Sequence, residues 1–215
     1  MTKPLIYKGR ASISNAAGRF EKQSRQAEDD GWGCLDAELP PLRTDVIIDS
    51  SKSVITYNDS PDIPFDRSIN PYRGCEHACI YCFARPTHAY LGYSAGLDFE
   101  SKILVKPEAA RLLREELAKR SYRCAPLALG TNTDPYQPLE RQQRIMRQIL
   151  EVLLETRHPV SVVTKSALIE RDIDILADMA GQGLASVYLS ITTLDRTLAR
   201  TLEPRAAAPQ RRLEA

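Results

Sequence analysis

The chain contains 215 residues, of which 43% are hydrophobic and 27% are charged, and its formal net charge is +1. This composition is typical of a globular protein with one large domain or slightly more. The near-zero charge excludes a global electrostatic field that would attract DNA or an anionic membrane. No segment resembles a signal peptide or reaches the ~18 apolar residues of a membrane span, so we expect a cytoplasmic protein with no membrane association.

The first third of the chain is mostly polar. Residues 1–45 show neither a helical nor a strand period, so we expect an irregular, partly disordered N-terminal arm. β-branched runs at 46–48 and 54–57 predict a small hairpin or a wrapping pair of strands. A proline-interrupted linker ends near residue 66, and we expect the main domain to cover residues 67–215.

Helical and strand patterns alternate in the second half of the chain. Apolar residues recur at helical spacing in 108–120, 142–156 and 173–180, and short apolar runs occur at 126–129, 160–164 and 187–191. Strands separated by helices of this length form right-handed βαβ units. The sequence therefore predicts an α/β fold with a parallel sheet.

Three cysteines lie within eight residues of a chain that has only five: Cys75, Cys79 and Cys82. A structural zinc site closes its tetrahedron with four protein ligands, so it would need His77 or a distant cysteine as well. A cubane iron-sulfur cluster can be held by three thiolates, which leaves one iron open for another chelator. Both interpretations require a reducing compartment that keeps the thiols free.

Polar residues follow the predicted strands at their carboxyl ends, where parallel α/β proteins carry their functional sites. Thr133 and Asp134 follow the first apolar run, Lys165 follows the second, and Ser190 and Thr192 lie at the end of the last. A hydroxyl, a carboxylate and an ammonium together would suit a zwitterionic amino acid. Alternatively, Thr133 and Asp134 form only a helix cap, and Lys165 is a solvated loop charge.

The cysteine spacing, Cys-x3-Cys-x2-Cys with Tyr81 before the last cysteine, resembles the signature of the radical S-adenosylmethionine (SAM) superfamily. The resemblance implies that Cys75, Cys79 and Cys82 bind a 4Fe-4S cluster and that SAM chelates its open iron. An electron from an external donor then cleaves SAM to methionine and a 5′-deoxyadenosyl radical. It also implies a partial (β/α) barrel of about six βα units, of which this chain has room for about four. We therefore expect a barrel that is incomplete at the C-terminus.

Two longer motifs resemble the spore photoproduct lyase-like, or DNA repair photolyase-like, branch of that superfamily. They are Asn-Pro-Tyr-Arg-Gly-Cys-Glu-His at 70–77 and Ala-Arg-Pro-Thr-His-Ala-Tyr at 84–90. This resemblance implies that SAM is positioned by five residues: Tyr81, Thr133, Asp134, Lys165 and Ser190. Secondary candidates for SAM or substrate contacts are Arg73, His88 and Arg205, while Glu76 and His77 are expected to tune the cluster or shape its loop.

The chain departs from the lyases at two positions. Thr131 and Phe83 stand where those enzymes have a hydrogen-donor cysteine and a tyrosine. A threonine O–H bond is too strong to donate hydrogen readily to a carbon radical, so repair of spore photoproduct itself is not expected. Nucleic acid is a candidate substrate by analogy only. The alternative from a different class is a non-catalytic iron-sulfur or zinc-binding module.

Overall fold

The computed structural model describes residues 10–16 and 42–215, and this part of the chain forms two sheets surrounded by helices. The strands are β1 Asp45–Ile48, β2 Ile55–Tyr57, β3 Arg67–Ile69, β4 Tyr72–Arg73, β5 Lys102–Val105, β6 Leu127–Leu129, β7 Val160–Thr164 and β8 Ala185–Leu189. The α-helices are α1 Leu97–Ser101, α2 Ala109–Leu117, α3 Glu140–Gln143, α4 Ile145–Glu155, α5 Ile173–Gly181, α6 Arg196–Leu202 and α7 Pro209–Glu214. Two 3₁₀ segments span Arg85–Leu91 and Ala167–Asp172.

The larger sheet has the strand order β2-β3-β6-β7-β8, in which β3, β6, β7 and β8 run parallel and β2 is antiparallel to β3. β6 is buried throughout because helices cover the sheet. The α/β fold with a parallel sheet is confirmed. β7 has the bounds predicted for it, whereas β8 starts and ends two residues earlier than the run at 187–191, so Ser190 follows the strand.

The smaller sheet has the order β1-β5-β4, with β1 parallel and β4 antiparallel to β5. The predicted pairing of 46–48 with 54–57 is wrong, because β1 pairs with β5 and β2 pairs with β3. The backbone N–H of Val54 donates instead to the buried carboxylate of Glu116 at 2.6 Å. This bond fixes the residue that precedes β2 against helix α2.

The predicted helix over 142–156 is divided at Arg144, which has φ 52° in the left-handed region. The cause is the buried carboxylate of Glu140, which accepts the backbone N–H groups of Ile145 and Met146, each at 3.1 Å. These contacts satisfy donors that a new helix leaves open, so α4 starts afresh at residue 145. The apolar face of α4 packs into the core as its period predicts.

The five-stranded sheet is open in the described residues, with β8 at its edge, where Val187 and Tyr188 are 42% and 57% exposed. This agrees with a partial barrel. Residues 10–16 contain no helix or strand, and they pack against α1 through Leu97 N, which donates to Ser14 O at 3.2 Å. The rest of the predicted N-terminal arm lies outside the described residues, apart from 42–45. No helix among the described residues is long and apolar enough to cross a bilayer.

Candidate active site

The loop that carries the three cysteines starts at Gly74, directly after β4. Gly74 has φ +83°, and a Cβ added there would lie 2.8 Å from the carbonyl oxygen of Phe99 and 2.9 Å from His88. Only glycine accepts both the left-handed backbone and this close approach. Cys75 N then donates to Phe99 O at 2.9 Å, which holds the loop against α1.

All three cysteines are free thiols, and Cys75 and Cys79 are buried. Burial raises the pKa of Cys79 to about 12 and that of Cys75 well above its usual value. A bound metal centre reverses this preference, because its positive charge favours the thiolate. Within residues 10–16 and 42–215, no three His, Cys, Asp or Glu side chains converge as ligands of one metal ion. Three free thiols on one cavity fit a cubane cluster, in which each cysteine binds a different iron.

A cavity of about 220 Å³ joins the cysteine loop to the carboxyl ends of β6, β7 and β8. The structure brings together the eight residues predicted to bind the cluster or to position SAM, and all of them line this cavity: Cys75, Cys79, Tyr81, Cys82, Thr133, Asp134, Lys165 and Ser190. Thr131 and Phe83 line it as well, and the ring of Phe83 is 78% exposed. The individual roles of these residues stay predictions.

The carboxylate of Asp134 joins the ends of β6 and β7. It accepts hydrogen bonds from Thr164 Oγ1 at 2.6 Å, Lys165 N at 2.7 Å and Tyr136 N at 2.9 Å. Its Oδ2 also lies 3.2 Å from His77 Nδ1. Burial opposes ionisation, but His77 and the hydrogen bonds outweigh it and hold the pKa of Asp134 below its ordinary value. Asp134 therefore acts as an ionised cross-link between the strand ends and the cysteine loop.

Thr133 and Gln137 bind the backbone of the cysteine loop. Thr133 Oγ1 donates to Gly74 O at 2.6 Å, and Glu76 N donates to Gln137 Oε1 at 2.9 Å. Gln137 Nε2 also donates to Thr133 Oγ1 at 3.1 Å. The segment after β6 thus supports the loop from one side. Gln137 was missed by sequence reasoning, although it follows Asp134 by only three residues.

Lys165 and Ser190 meet on the other wall of the cavity. Lys165 Nζ donates to Ser190 Oγ at 2.6 Å, lies 5.9 Å from the centre of the Tyr81 ring, and is 3.6 Å from Glu203 Oε1. Because Lys165 has these partners, the alternative of a solvated loop charge does not describe it. The alternative of a helix cap describes Asp134 only in part, since its bond to Tyr136 N is one of several.

The secondary candidates lie elsewhere. Arg73 pairs with Asp49 at 2.9 Å on the surface, and His88 is buried with Nε2 2.9 Å from Lys102 O. Arg205 binds Glu76 at 3.2 Å. None of Arg73, His88, Arg205 or Glu76 is among the residues that line the cavity, whereas His77 is.

The fold and the site together define a class of protein: an open α/β sheet with a three-cysteine loop facing its strand ends. The sequence profile of the radical SAM superfamily matches residues 69–215. The chain belongs to this superfamily, whose members are enzymes that use a 4Fe-4S cluster and SAM, the two cofactors expected from the sequence.

Relatives and solved structures agree with this family. An uncharacterized protein of Mycobacterium tuberculosis is 44% identical over 151 residues, which are 70% of this chain and 44% of the relative. An uncharacterized protein of Methanocaldococcus jannaschii is 28% identical over 147 residues, which are 68% of this chain and 52% of the relative. The chain thus spans about half the length of the curated relatives it matches.

Structures of spore photoproduct lyase share the fold. The lyase complexed with dinucleoside spore photoproduct matches with a TM-score of 0.55 and 15% identity, over 79% of this chain and 46% of that one. A mutant of the lyase with bound AdoMet and dinucleoside spore photoproduct matches with a TM-score of 0.54 and 16% identity, over 79% and 45%. The resemblance to this branch is thus confirmed in the fold.

Proposed function

We propose that the chain carries the SAM-cleaving half of a radical SAM enzyme. The observation that carries this proposal is the single cavity shared by three free cysteines and by the polar residues at three strand ends. In this proposal Cys75, Cys79 and Cys82 hold the cluster. When bound, a 4Fe-4S cluster with one iron free of protein ligands supplies the electron that cleaves SAM to methionine and a 5′-deoxyadenosyl radical.

The chain's own residues bind and orient the cofactors. Lys165 and Ser190 offer an ammonium and a hydroxyl to the oxygens of SAM, and the ring of Tyr81 offers an apolar face for its adenine. Thr133 fixes the cysteine loop, and Asp134 fixes the backbone of Lys165. The shape of the site is therefore preset by hydrogen bonds within the protein.

The substrate is proposed to be a nucleic acid other than spore photoproduct. Support comes from the solved lyases, three of which contain dinucleoside spore photoproduct. Thr131 occupies the position of the donor cysteine, and its hydroxyl accepts from Asn70 Nδ2 at 2.9 Å. An external protein or small molecule must supply the electron, and a cytoplasmic location would keep the three thiols reduced.

Anaerobic reconstitution with iron and sulfide tests the proposal. The protein is expected to take up a cluster, bind SAM and release 5′-deoxyadenosine when dithionite is added. The same assay on protein loaded with zinc is the control. Stoichiometric zinc binding with no uptake of iron would instead support the non-catalytic metal-binding module.

A further inference from the structure

The chain from the end of α6 to the start of α7 runs behind the site and forms hydrogen bonds with both the cysteine loop and the end of β7. Ile80 N in the cysteine loop donates to Leu202 O at 3.0 Å, and Ala207 N donates to Lys165 O at 3.3 Å. Sequence reasoning assigned no role in the site to residues 193–203 or to Arg212. These contacts place Glu203 behind the cavity wall formed by Tyr81 and Lys165.

The carboxylate of Glu203 is the centre of a buried network. Its side chain is 1% exposed, and it accepts from Tyr81 OH, from Thr192 Oγ1 at 2.6 Å and from Arg212 Nη2. Burial favours the neutral acid, but the hydrogen bonds from Thr192, Tyr81 and Arg212 outweigh it and lower the pKa of Glu203. An ionised carboxylate is therefore held directly beside the site.

Arg212 prevents that carboxylate from turning. The guanidinium is 1% exposed, and it donates to Ala207 O at 2.7 Å and to Ser190 O at 2.9 Å while it pairs with Glu203. A planar guanidinium with several fixed partners has one orientation, so the carboxylate that it binds also has one. The two backbone carbonyl groups that hold Arg212 therefore also fix the orientation of the Glu203 carboxylate.

Tyr81 and Lys165 depend on this fixed carboxylate. A lysine side chain loses rotamer freedom when it is ordered, so a site that orders it beforehand spares the ligand this entropic cost. Of the three N–H donors of Lys165, one binds Ser190 and one faces Glu203 at 3.6 Å. The third is left for an oxygen atom of a ligand in the cavity.

We propose that Glu203 is a positioning residue, which holds the phenol of Tyr81 and the ammonium of Lys165 in place for SAM. The inference rests on the proposed function, because it takes SAM as the ligand of the cavity. Glu203 acts through its neighbours, so its loss should weaken SAM binding and leave the cluster intact.

The test compares Glu203→Gln and Tyr81→Phe in the full chain after anaerobic reconstitution. Tyr81→Phe removes the hydrogen bond between Tyr81 and Glu203 but keeps the ion pair between Glu203 and Arg212. It therefore remains informative if Glu203→Gln folds poorly. Iron content, the cluster's absorbance spectrum, the melting temperature and the Kd of SAM are measured for each. We expect the Kd to rise roughly tenfold in either variant, with unchanged iron content. The Kd of the double variant should rise by less than the product of the two single effects, because both changes remove the hydrogen bond between Tyr81 and Glu203.

Glu170→Gln is the matched control, since Glu170 is also a glutamate paired with an arginine of α7, Arg211, but on the surface. Its SAM affinity should equal that of the original chain. Wild-type SAM affinity in Tyr81→Phe, or loss of iron in both variants, would overturn the positioning role while the proposed function stands. If the unaltered chain takes up a cluster but binds no SAM, both proposals are wrong.

Discussion

Both sheets support the cysteine loop, and they do so with different chemistry. From the five-stranded sheet, the side chains of Thr133 and Asp134, in the segment after β6, reach the loop. From the three-stranded sheet, the support comes through α1 and Arg85, whose guanidinium binds Cys79 O at 3.0 Å and Glu100 at 2.6 Å.

The difference lies in what each support is attached to. Asp134 connects two adjacent parallel strands of the main core. Glu100 connects α1 to residues 10–16 through the N–H groups of Ala11 and Ser12, each at 3.0 Å. One support is part of the cooperative core, while the other fastens a peripheral segment, so the two should fail in different ways.

The largest effect is expected when a cysteine of the loop is changed, because the hydrogen bonds from the two sheets cannot substitute for a missing thiolate ligand. Cys79→Ala should abolish iron uptake and the formation of 5′-deoxyadenosine, as measured by iron analysis and chromatography after reconstitution. Cys124→Ala is the control, since Cys124 is an exposed free thiol outside the cavity. Wild-type iron content in Cys79→Ala would remove that cysteine from the ligand set.

Asp134→Asn tests the five-stranded side. The amide loses the charge that faces His77 and one of its acceptor oxygens, so we expect a loss of about 2–4 kcal/mol in the free energy of unfolding. Urea denaturation followed by circular dichroism measures it. Asp178→Asn, at an exposed position on α5, should change stability by no more than about 0.5 kcal/mol. Equal midpoints for the two variants would contradict a cross-linking role for Asp134.

Glu100→Gln tests the three-stranded side and should have a smaller global effect, about 1–2 kcal/mol. The loss is limited because residues 10–16 can detach while the core stays folded. Hydrogen exchange should therefore increase at residues 10–16 more than in β6 or β7. Glu115→Gln, which alters an exposed ion pair with Arg111, is the comparison variant. Uniform faster exchange across both sheets would show that the segment belongs to the main cooperative unit.

The smallest effect concerns His158, at the start of β7 and remote from the site. The pKa of His158 lies below its ordinary value of 6.5, chiefly because the side chain is buried. The unfolded chain therefore takes up a proton that the folded chain resists, and stability should fall as pH drops below about 6.5. The slope for one proton is at most about 1.4 kcal/mol per pH unit. His158→Gln should reduce the slope measured between pH 7 and 5, and an unchanged slope would exclude this histidine as its source.

The larger sheet could be predicted because its patterns are local. Residues 160–164 are a short, mostly apolar run, which predicts one strand. The polar residues after each strand meet in the cavity because the carboxyl ends of parallel strands lie at the same edge of the sheet. The smaller sheet could not be predicted in the same way. β1 pairs with β5 across more than fifty residues, and no local pattern specifies that partner.

The side-chain network around Glu203 could not be predicted either, because its members lie far apart in the sequence. Tyr81 and Glu203 are 122 positions apart, so the glutamate had no visible connection to the cysteine motif before the fold was known. Its only local signal was a charged residue between the apolar end of α6 and Pro204. The break at Arg144 also depended on the burial of Glu140, which the helical period at 142–156 does not reveal.

Gly74 limits how this site can change in evolution or by design. A single methyl group on its α-carbon would push against Phe99 and His88 and would also strain the backbone in front of the first thiol. The displaced atoms would carry Cys75 with them, so a mutation that adds no charge and removes no ligand could still empty the metal site. Gly74 is thus constrained by space and backbone geometry, although it supplies no side chain to the site.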